Sequence, residues 1–229
     1  HVRSIGRGVQ THRHYHHQCV GPVVSGGGRM VPQLERNGCT HILWPYIGEK
    51  SFRCLQYIGK LRKFLTEQRV DILHLRSRLP AWIGYLAWKT LNPRQRPSLV
   101  TTFHGFYSVN AYSRIMTKGE RVAAVSETIK DHILENYKTN REKITLIHGG
   151  FDDTEFSPAA VSPERIEKLR QSWLAGHENK AVVVLPGRLS HWKGQDVFID
   201  SMALLNNRDV IGLVIGDTEE NAAFAGKLR

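Results

Sequence analysis

The sequence lacks most features that mark membrane, metal-binding and secreted proteins. Its longest apolar runs, such as residues 181–185, are far shorter than the ~20 residues of a membrane-spanning helix. The polar start HVRSIGRGVQTHRHYHHQ has no apolar signal-peptide segment. The three cysteines have no metal-ligand spacing, and such an odd, sparse set fits a reducing cytosol better than a disulfide scaffold. We therefore expect a cytoplasmic protein without a metal site.

Acidic residues are in the minority, at 21 against 32 lysines and arginines, which gives a net charge of +11. A basic balance favours an anionic partner, such as nucleic acid, phospholipid head groups or a phosphorylated substrate. The basic residues are spread along the chain, and no run has the interleaved aromatics of a single-strand binder. We therefore expect no nucleic-acid partner, but a phosphate-bearing substrate and peripheral contact with an anionic inner membrane.

The chain repeats a pattern of strand, loop and helix. Strand-like apolar runs occupy residues 21–25, 41–44, 70–75, 98–103, 121–125, 143–147, 181–185 and 210–215. Several are short, β-branched and not alternating, as in strands buried on both faces. Helical patterns lie between them at residues 51–68, 80–91, 127–137, 163–175 and 197–205. This alternation predicts an α/β fold with parallel sheets.

Composition divides the chain into four segments. Residues 156–163 are rich in Pro and Ser, as in a linker. We predict one α/β domain over residues 21–160, a linker and helix over 161–178, and a second domain over 179–229. Residues 1–20 lack the apolar strand and Gly-rich turn that open a Rossmann-like domain. Their histidines have no carboxylate or Cys partner at a suitable spacing, so we interpret the segment as an atypical leader rather than a metal site.

A basic, Gly-containing loop follows the strand at 181–185 and precedes the helix at 197–205. Gly187 and Gly194 allow close backbone approach to a ligand, and Arg188 and Lys193 add two cations beside a helix N-terminus. This combination suits a diphosphate. The alternative is a surface loop with solvated side chains, and spacing alone does not decide between the two.

Weaker candidates follow other predicted strands. His104 and Gly105 close the strand at 98–103, where ligands of open α/β sheets bind. His104 could hydrogen-bond a sugar hydroxyl or a phosphate, or could simply be satisfied by a neighbouring carbonyl. Ser126 is a candidate N-cap, and Gly149 and Gly150 permit a tight turn with unusual φ.

Five segments in a fixed order resemble bacterial family 4 glycosyltransferases, including those that build lipopolysaccharide core and other surface glycans. The segments are VSGGGRMVPQLERNG (24–38), VDILHLRSRLPAWIG (70–84), VTTFHGFYSVNAYSRIMTKGERVAAVSE (100–127), ITLIHGGFDDTEFSP (144–158) and LPGRLSHWKGQDVFIDSMALL (185–205). Each segment alone is a weak signal, whereas the ordered set is specific.

The resemblance implies the GT-B fold, with an acceptor-side and a donor-side Rossmann-like domain. It also implies a UDP- or GDP-linked sugar donor, retention of anomeric configuration, a glycan or lipid-linked acceptor and no metal cofactor. Arg188 and Lys193 match the basic residues that hold the donor diphosphate in the family, flanked by Gly187 and Gly194. His104 matches the catalytic histidine near the transferred sugar. Further crevice-lining positions are Gly105, Ser126, Gly149 and Gly150.

Two other classes of protein and an inactive chain compete with this interpretation. Family members carry a Glu-x7-Glu motif late in the donor domain, and this sequence ends at Arg229 before any such motif. We therefore expect an incomplete donor domain, and the main alternative is a catalytically inactive chain that retains a basic acceptor-binding surface. A Rossmann oxidoreductase is disfavoured because Gly26–Gly28 lack G-x-G-x-x-G spacing. An epimerase of the same fold is disfavoured because its carboxylate pairs are not visible.

Overall fold

The computed structural model describes residues 21–49, 51–154, 156–217 and 221–228. The predictions made for residues 1–20 lie outside these ranges. The chain divides into two compact units, residues 1–152 and 153–229. This division falls a few residues before the predicted end of the first domain at 160.

The described part of the first unit contains six strands, and every pairing among them is parallel. The strands are β1 (Val23–Ser25), β2 (His41–Leu43), β3 (Ile72–Leu75), β4 (Ser98–Phe103), β5 (Arg121–Ala124) and β6 (Ile144–Leu146). Backbone hydrogen bonds join β1 with β2 in one sheet and join β3, β4, β5 and β6, in that order, in another. All six strands were predicted from apolar runs, whereas their separation into two sheets was not.

Four α-helices connect these strands. They are α1 (Val31–Arg36), α2 (Tyr57–Glu67), α3 (Arg78–Lys89) and α4 (Glu127–Tyr137). The pattern at 51–68 predicted one helix, but its first turn, Phe52–Gln56, is a 3-10 helix. The α4 prediction is confirmed at both ends. It begins where Ser126 Oγ accepts a hydrogen bond from the Ile129 amide at 3.2 Å, and it ends where Lys138 adopts a left-handed φ of 50°.

Helix α3 separates two hydrophobic clusters in the first unit. Its Ala81 packs with Phe103, Ile133 and other residues of β3 to β6 and α4. Its Ile83 and Ala87 pack with Trp44 and with the buried face of α2. A helix that is apolar on more than one side must be covered on more than one side. This explains why α3 has two layers of neighbours.

The second unit repeats the strand–helix–strand pattern. It contains α5 (Pro163–Trp173), β7 (Ala181–Pro186), α6 (Gln195–Leu205), β8 (Val210–Ile215) and α7 (Ala222–Lys227). Strands β7 and β8 pair in parallel from Ala181 opposite Val210 to Pro186 opposite Ile215. The predicted strands and both predicted helices of this unit are present, and α7 was not predicted.

Two further observations bear on the sequence predictions. No helix in the described part of the chain is long and apolar enough to cross a membrane. Of the cysteines in that part, Cys54 is a free, buried thiol.

Candidate functional site

The basic loop of the second unit leads directly from β7 into α6. The Gly187 amide donates a hydrogen bond to the Ile215 carbonyl at 2.8 Å, which extends the ladder between β7 and β8 by one residue. A 3-10 turn, His191–Lys193, follows. Gly194 then ends this turn and caps α6 with φ 74°, a conformation that side chains with a Cβ rarely adopt. The loop therefore ends at the N-terminus of an eleven-residue helix.

Buried residues hold this loop in place and leave its cations in solvent. Leu189 packs against Phe224 and Ala225 of α7. Arg188 and Lys193 are exposed. Lys193 Nζ lies 4.3 Å from the centroid of the Trp192 ring. Within the described ranges, neither cation forms an ion pair with a carboxylate. Two exposed cations without acidic partners are available to an anionic ligand.

Gln195 is the residue that closes the loop, and sequence reasoning missed it. Its side chain is 0% exposed. Its Nε2 donates to the Arg188 carbonyl at 3.0 Å, and its Oε1 accepts from the Ser190 amide at 3.3 Å. Hydrogen bonds of this kind each contribute about 0.5–1.5 kcal/mol to stability. In the sequence this residue is simply a glutamine near the start of a helix. No sequence pattern marks such a glutamine as one that closes a loop.

The first turn of α6 also carries a negative charge. Asp196 Oδ1 accepts a hydrogen bond from the Val197 amide at 3.0 Å, and Asp196 Oδ2 lies 3.3 Å from His191 Nδ1. The Val197 hydrogen bond is the main reason why the pKa of Asp196 is lowered, and the His191 hydrogen bond adds to it. The Val197 amide is therefore already occupied. A phosphate at this helix end would depend on Arg188, Lys193 and the remaining free amides.

The candidate histidine of the first unit lies in a cluster at the ends of β3 and β4. Arg76 Nε donates a hydrogen bond to His104 Nε2 at 3.2 Å. His74 Nε2 lies 2.6 Å from Thr102 Oγ1 in a second cross-strand hydrogen bond. Burial, followed by the nearby Arg76 charge, lowers the pKa of both histidines. Both lowered pKa values favour the neutral form of the ring. Sequence reasoning named His104 but missed its partners.

The other predicted residues follow neighbouring strands of the same sheet. Because β3 to β6 are parallel and adjacent, the segments after them all begin at the same edge of the sheet. Ser126 follows β5, but its hydroxyl caps α4. Gly105 follows His104 and is half-buried, and the exposed Gly149 and Gly150 follow β6. Neither Gly149 nor Gly150 has a positive φ, so the turn there does not require glycine, contrary to the sequence argument.

Comparison with known proteins identifies the family. The model of Glycosyltransferase Family 4 matches residues 1–155. The chain belongs to this family. One curated relative is the mannosylfructose-phosphate synthase of Agrobacterium fabrum, which is 36% identical over 90 residues. That match covers 39% of this chain and 19% of the relative.

Solved structures match more of this family 4 chain. A glycosyltransferase from Rickettsia africae has a TM-score of 0.74 and 33% identity, covering 90% of this chain and 55% of that one. HepE of Anabaena, solved with UDP and glucose, has a TM-score of 0.71 and 22% identity, covering 90% of this chain and 56% of that one. The likeness to HepE shows the fold alone. The chain is α/β of the GT-B type and spans about half the length of these proteins.

Proposed function

We propose that this chain belongs to an enzyme that transfers a sugar from a UDP- or GDP-linked donor to a glycan or lipid-linked acceptor, with retention of anomeric configuration. A lipopolysaccharide intermediate is one acceptor of this kind. The observation that carries the proposal is the loop between β7 and α6, where Arg188 and Lys193 are exposed beside a helix N-terminus. Family membership and the similar glycosyltransferase from Rickettsia africae support it.

The chemistry explains why cations belong in this loop. In the transfer, the bond between the anomeric carbon and the donor phosphate oxygen breaks, and its electron pair stays on that oxygen. The acceptor hydroxyl oxygen bonds to the anomeric carbon, and its proton passes to the departing phosphate oxygen. Negative charge therefore develops on the nucleoside diphosphate. Positioned cations stabilise this charge more in the transition state than in the ground state. We assign this role to Arg188 and Lys193 and expect no metal to be needed.

The first unit supplies the candidate for contact with the sugar. A neutral His104 at the end of β4 can donate a hydrogen bond to a sugar hydroxyl without adding charge. Gly105 and the loop after β6 follow strands of the same sheet. A Cβ added at Gly105, Gly149 or Gly150 would lie in open space.

Nucleotide binding tests the proposal directly. In titration calorimetry with UDP, UMP, GDP and GMP, one diphosphate should bind at least about tenfold more tightly than its monophosphate, a difference of about 1.4 kcal/mol. Arg188→Gln and Lys193→Gln should remove this preference, and EDTA should leave it unchanged. Arg208→Gln is the matched control, because Arg208 is an exposed cation of the same unit.

Equal affinity for mono- and diphosphates would contradict the donor assignment. If an acidic glycan bound while no nucleoside diphosphate did, the result would favour the alternative function, a chain that only binds the acceptor. The net charge of +11 is the observation behind that alternative.

A second surface supports the proposal of peripheral membrane contact. The 3-10 turn before α2 exposes Phe52 at 92% and Leu55 at 49%. Exposed cations lie in the same stretch, at Arg53, Arg62 and Lys63. Exposed apolar and basic side chains within one segment suit the interface of an anionic bilayer. Binding to an anionic membrane would also bring the enzyme close to a lipid-linked acceptor.

Vesicle co-sedimentation tests this membrane proposal. We expect the chain to sediment with phosphatidylglycerol vesicles and to remain in solution with phosphatidylcholine vesicles, because the cations require anionic head groups. Phe52→Ser should weaken sedimentation severalfold. Phe106→Ser is the control, since Phe106 is also an exposed phenylalanine of the first unit. If both variants lost sedimentation equally, or if the chain bound both kinds of vesicle equally, the assignment of this surface to membrane contact would be wrong.

A further inference from the structure

The contact between Arg76 and His104 determines which nitrogen of His104 carries a proton. We propose that Arg76 is a positioning residue that holds His104 as the neutral Nδ1–H tautomer, so that His104 acts as a hydrogen-bond donor towards an oxygen of the sugar. The identification of a sugar as the ligand rests on the proposed function, whereas the assignment of the tautomer does not.

The direction of the hydrogen bond follows from the chemistry of the two groups. A guanidinium nitrogen carries a hydrogen and can only donate. Arg76 Nε and His104 Nε2 are 3.2 Å apart, so Nε2 must accept through its lone pair. A neutral imidazole with an accepting Nε2 has its hydrogen on Nδ1. The free end of His104 is therefore a donor and cannot take a proton from an acceptor hydroxyl.

The surroundings of His104 and His74 also favour the neutral form of His104. Protonation of His104 would turn Nε2 into a donor that faces another donor on Arg76. It would also place a second positive charge beside the guanidinium. Among the described residues, His74 also interacts with this pair, and no carboxylate there contributes to the lowered pKa of either histidine. Within the described ranges, no acidic side chain of this cluster offsets an imidazolium charge.

The chain places Arg76 and Arg78 in different environments although they are two residues apart. Arg76 directly follows β3 and reaches across to the end of β4. Arg78 begins α3 and donates to Ser113 Oγ at 3.3 Å. Its guanidinium carbon lies 5.0 Å from the Tyr107 ring centroid. Arg78 therefore carries the same charge without touching His104, which makes it a matched control.

Nitrogen-15 NMR of the chain with labelled histidine measures the tautomer. The His104 signals are identified by their loss in His104→Gln. In the wild type at pH 8 we expect Nε2 of His104 to have the chemical shift of an unprotonated nitrogen and Nδ1 that of a protonated one. Arg76→Met should shift the His104 titration midpoint upward and should populate the Nε2–H tautomer. Arg76→Lys, which keeps the charge, should shift the midpoint less, and Arg78→Gln should leave it unchanged.

The outcomes separate this inference from the proposed function. A protonated Nε2 in the wild type would overturn it, and so would an unchanged His104 titration in Arg76→Met. The wild-type spectrum alone decides the matter if Arg76→Met does not fold. Since no donor or acceptor is added, loss of the nucleotide-binding preference would remove the proposed function without affecting the tautomer.

Discussion

Replacing Arg188 or Lys193 by alanine is expected to slow sugar transfer by a factor on the order of 10²–10³ for each change, the usual effect of removing one preorganised charge-stabilising group. The charge on the departing diphosphate is largest in the transition state, so the loss should appear mainly in kcat rather than in KM. The measurement is the release of UDP or GDP from the sugar donor by the protein that carries this chain.

The fold should survive both changes, because both side chains are exposed and the loop is held by Leu189 and Gln195. Thermal melting should therefore match that of the wild type. Arg208→Ala provides the control for a loss of positive charge at the surface of the same unit. Near-normal turnover in both the Arg188 and Lys193 variants would remove the diphosphate assignment. A large fall in melting temperature would instead show that one of these side chains supports the fold.

The second large effect concerns stability. Phe103→Ala should lower the free energy of unfolding of the first unit by about 3–5 kcal/mol, as expected for a deleted buried aromatic ring. Phe103 is 0% exposed. Its ring centroid lies 5.1 Å from that of Tyr107 and 5.5 Å from that of Tyr137. As the last residue of β4, it also supports His104, so the loop after β4 should become more mobile.

Urea dependence of hydrogen exchange, resolved by segment, measures this loss within the first unit alone. Phe106→Ala is the matched control. Phe106 is 67% exposed, and such surface changes usually stay within about 0.5 kcal/mol. A loss below about 1 kcal/mol for Phe103→Ala would mean that the core around β4 rearranges to fill the cavity, in contrast with the usual limited relaxation of cores.

The element pattern was readable from the sequence, because parallel strands covered on both faces must be apolar along their length. All eight predicted strands form and all pair in parallel. The short helices α1 and α7 were missed because six residues give too few turns for an apolar period. The separation of β1 and β2 from the other strands was missed because strand order depends on packing between distant segments.

The candidate site was only partly readable. Arg188 and Lys193 could be named because a Gly-bounded basic loop before a helix is a local pattern. The Arg76 and His104 side chains are 28 residues apart in sequence, and their hydrogen bond exists only because β3 pairs with β4. The two hydrogen bonds of Gln195 likewise depend on how the loop folds back on α6.

The sequence by itself determined the α/β class, the strand positions and the family, since each depends on local composition and motif order. Tertiary structure alone decided that Gln195 closes the basic loop, that Ser126 is used as a helix cap, and that Arg76 donates to His104. The physical reason is the distance along the chain over which each effect acts. The periodic spacing of buried residues and the residue preferences of turns act within a few residues. The orientation and protonation of a polar side chain depend instead on the partner that the fold brings to it.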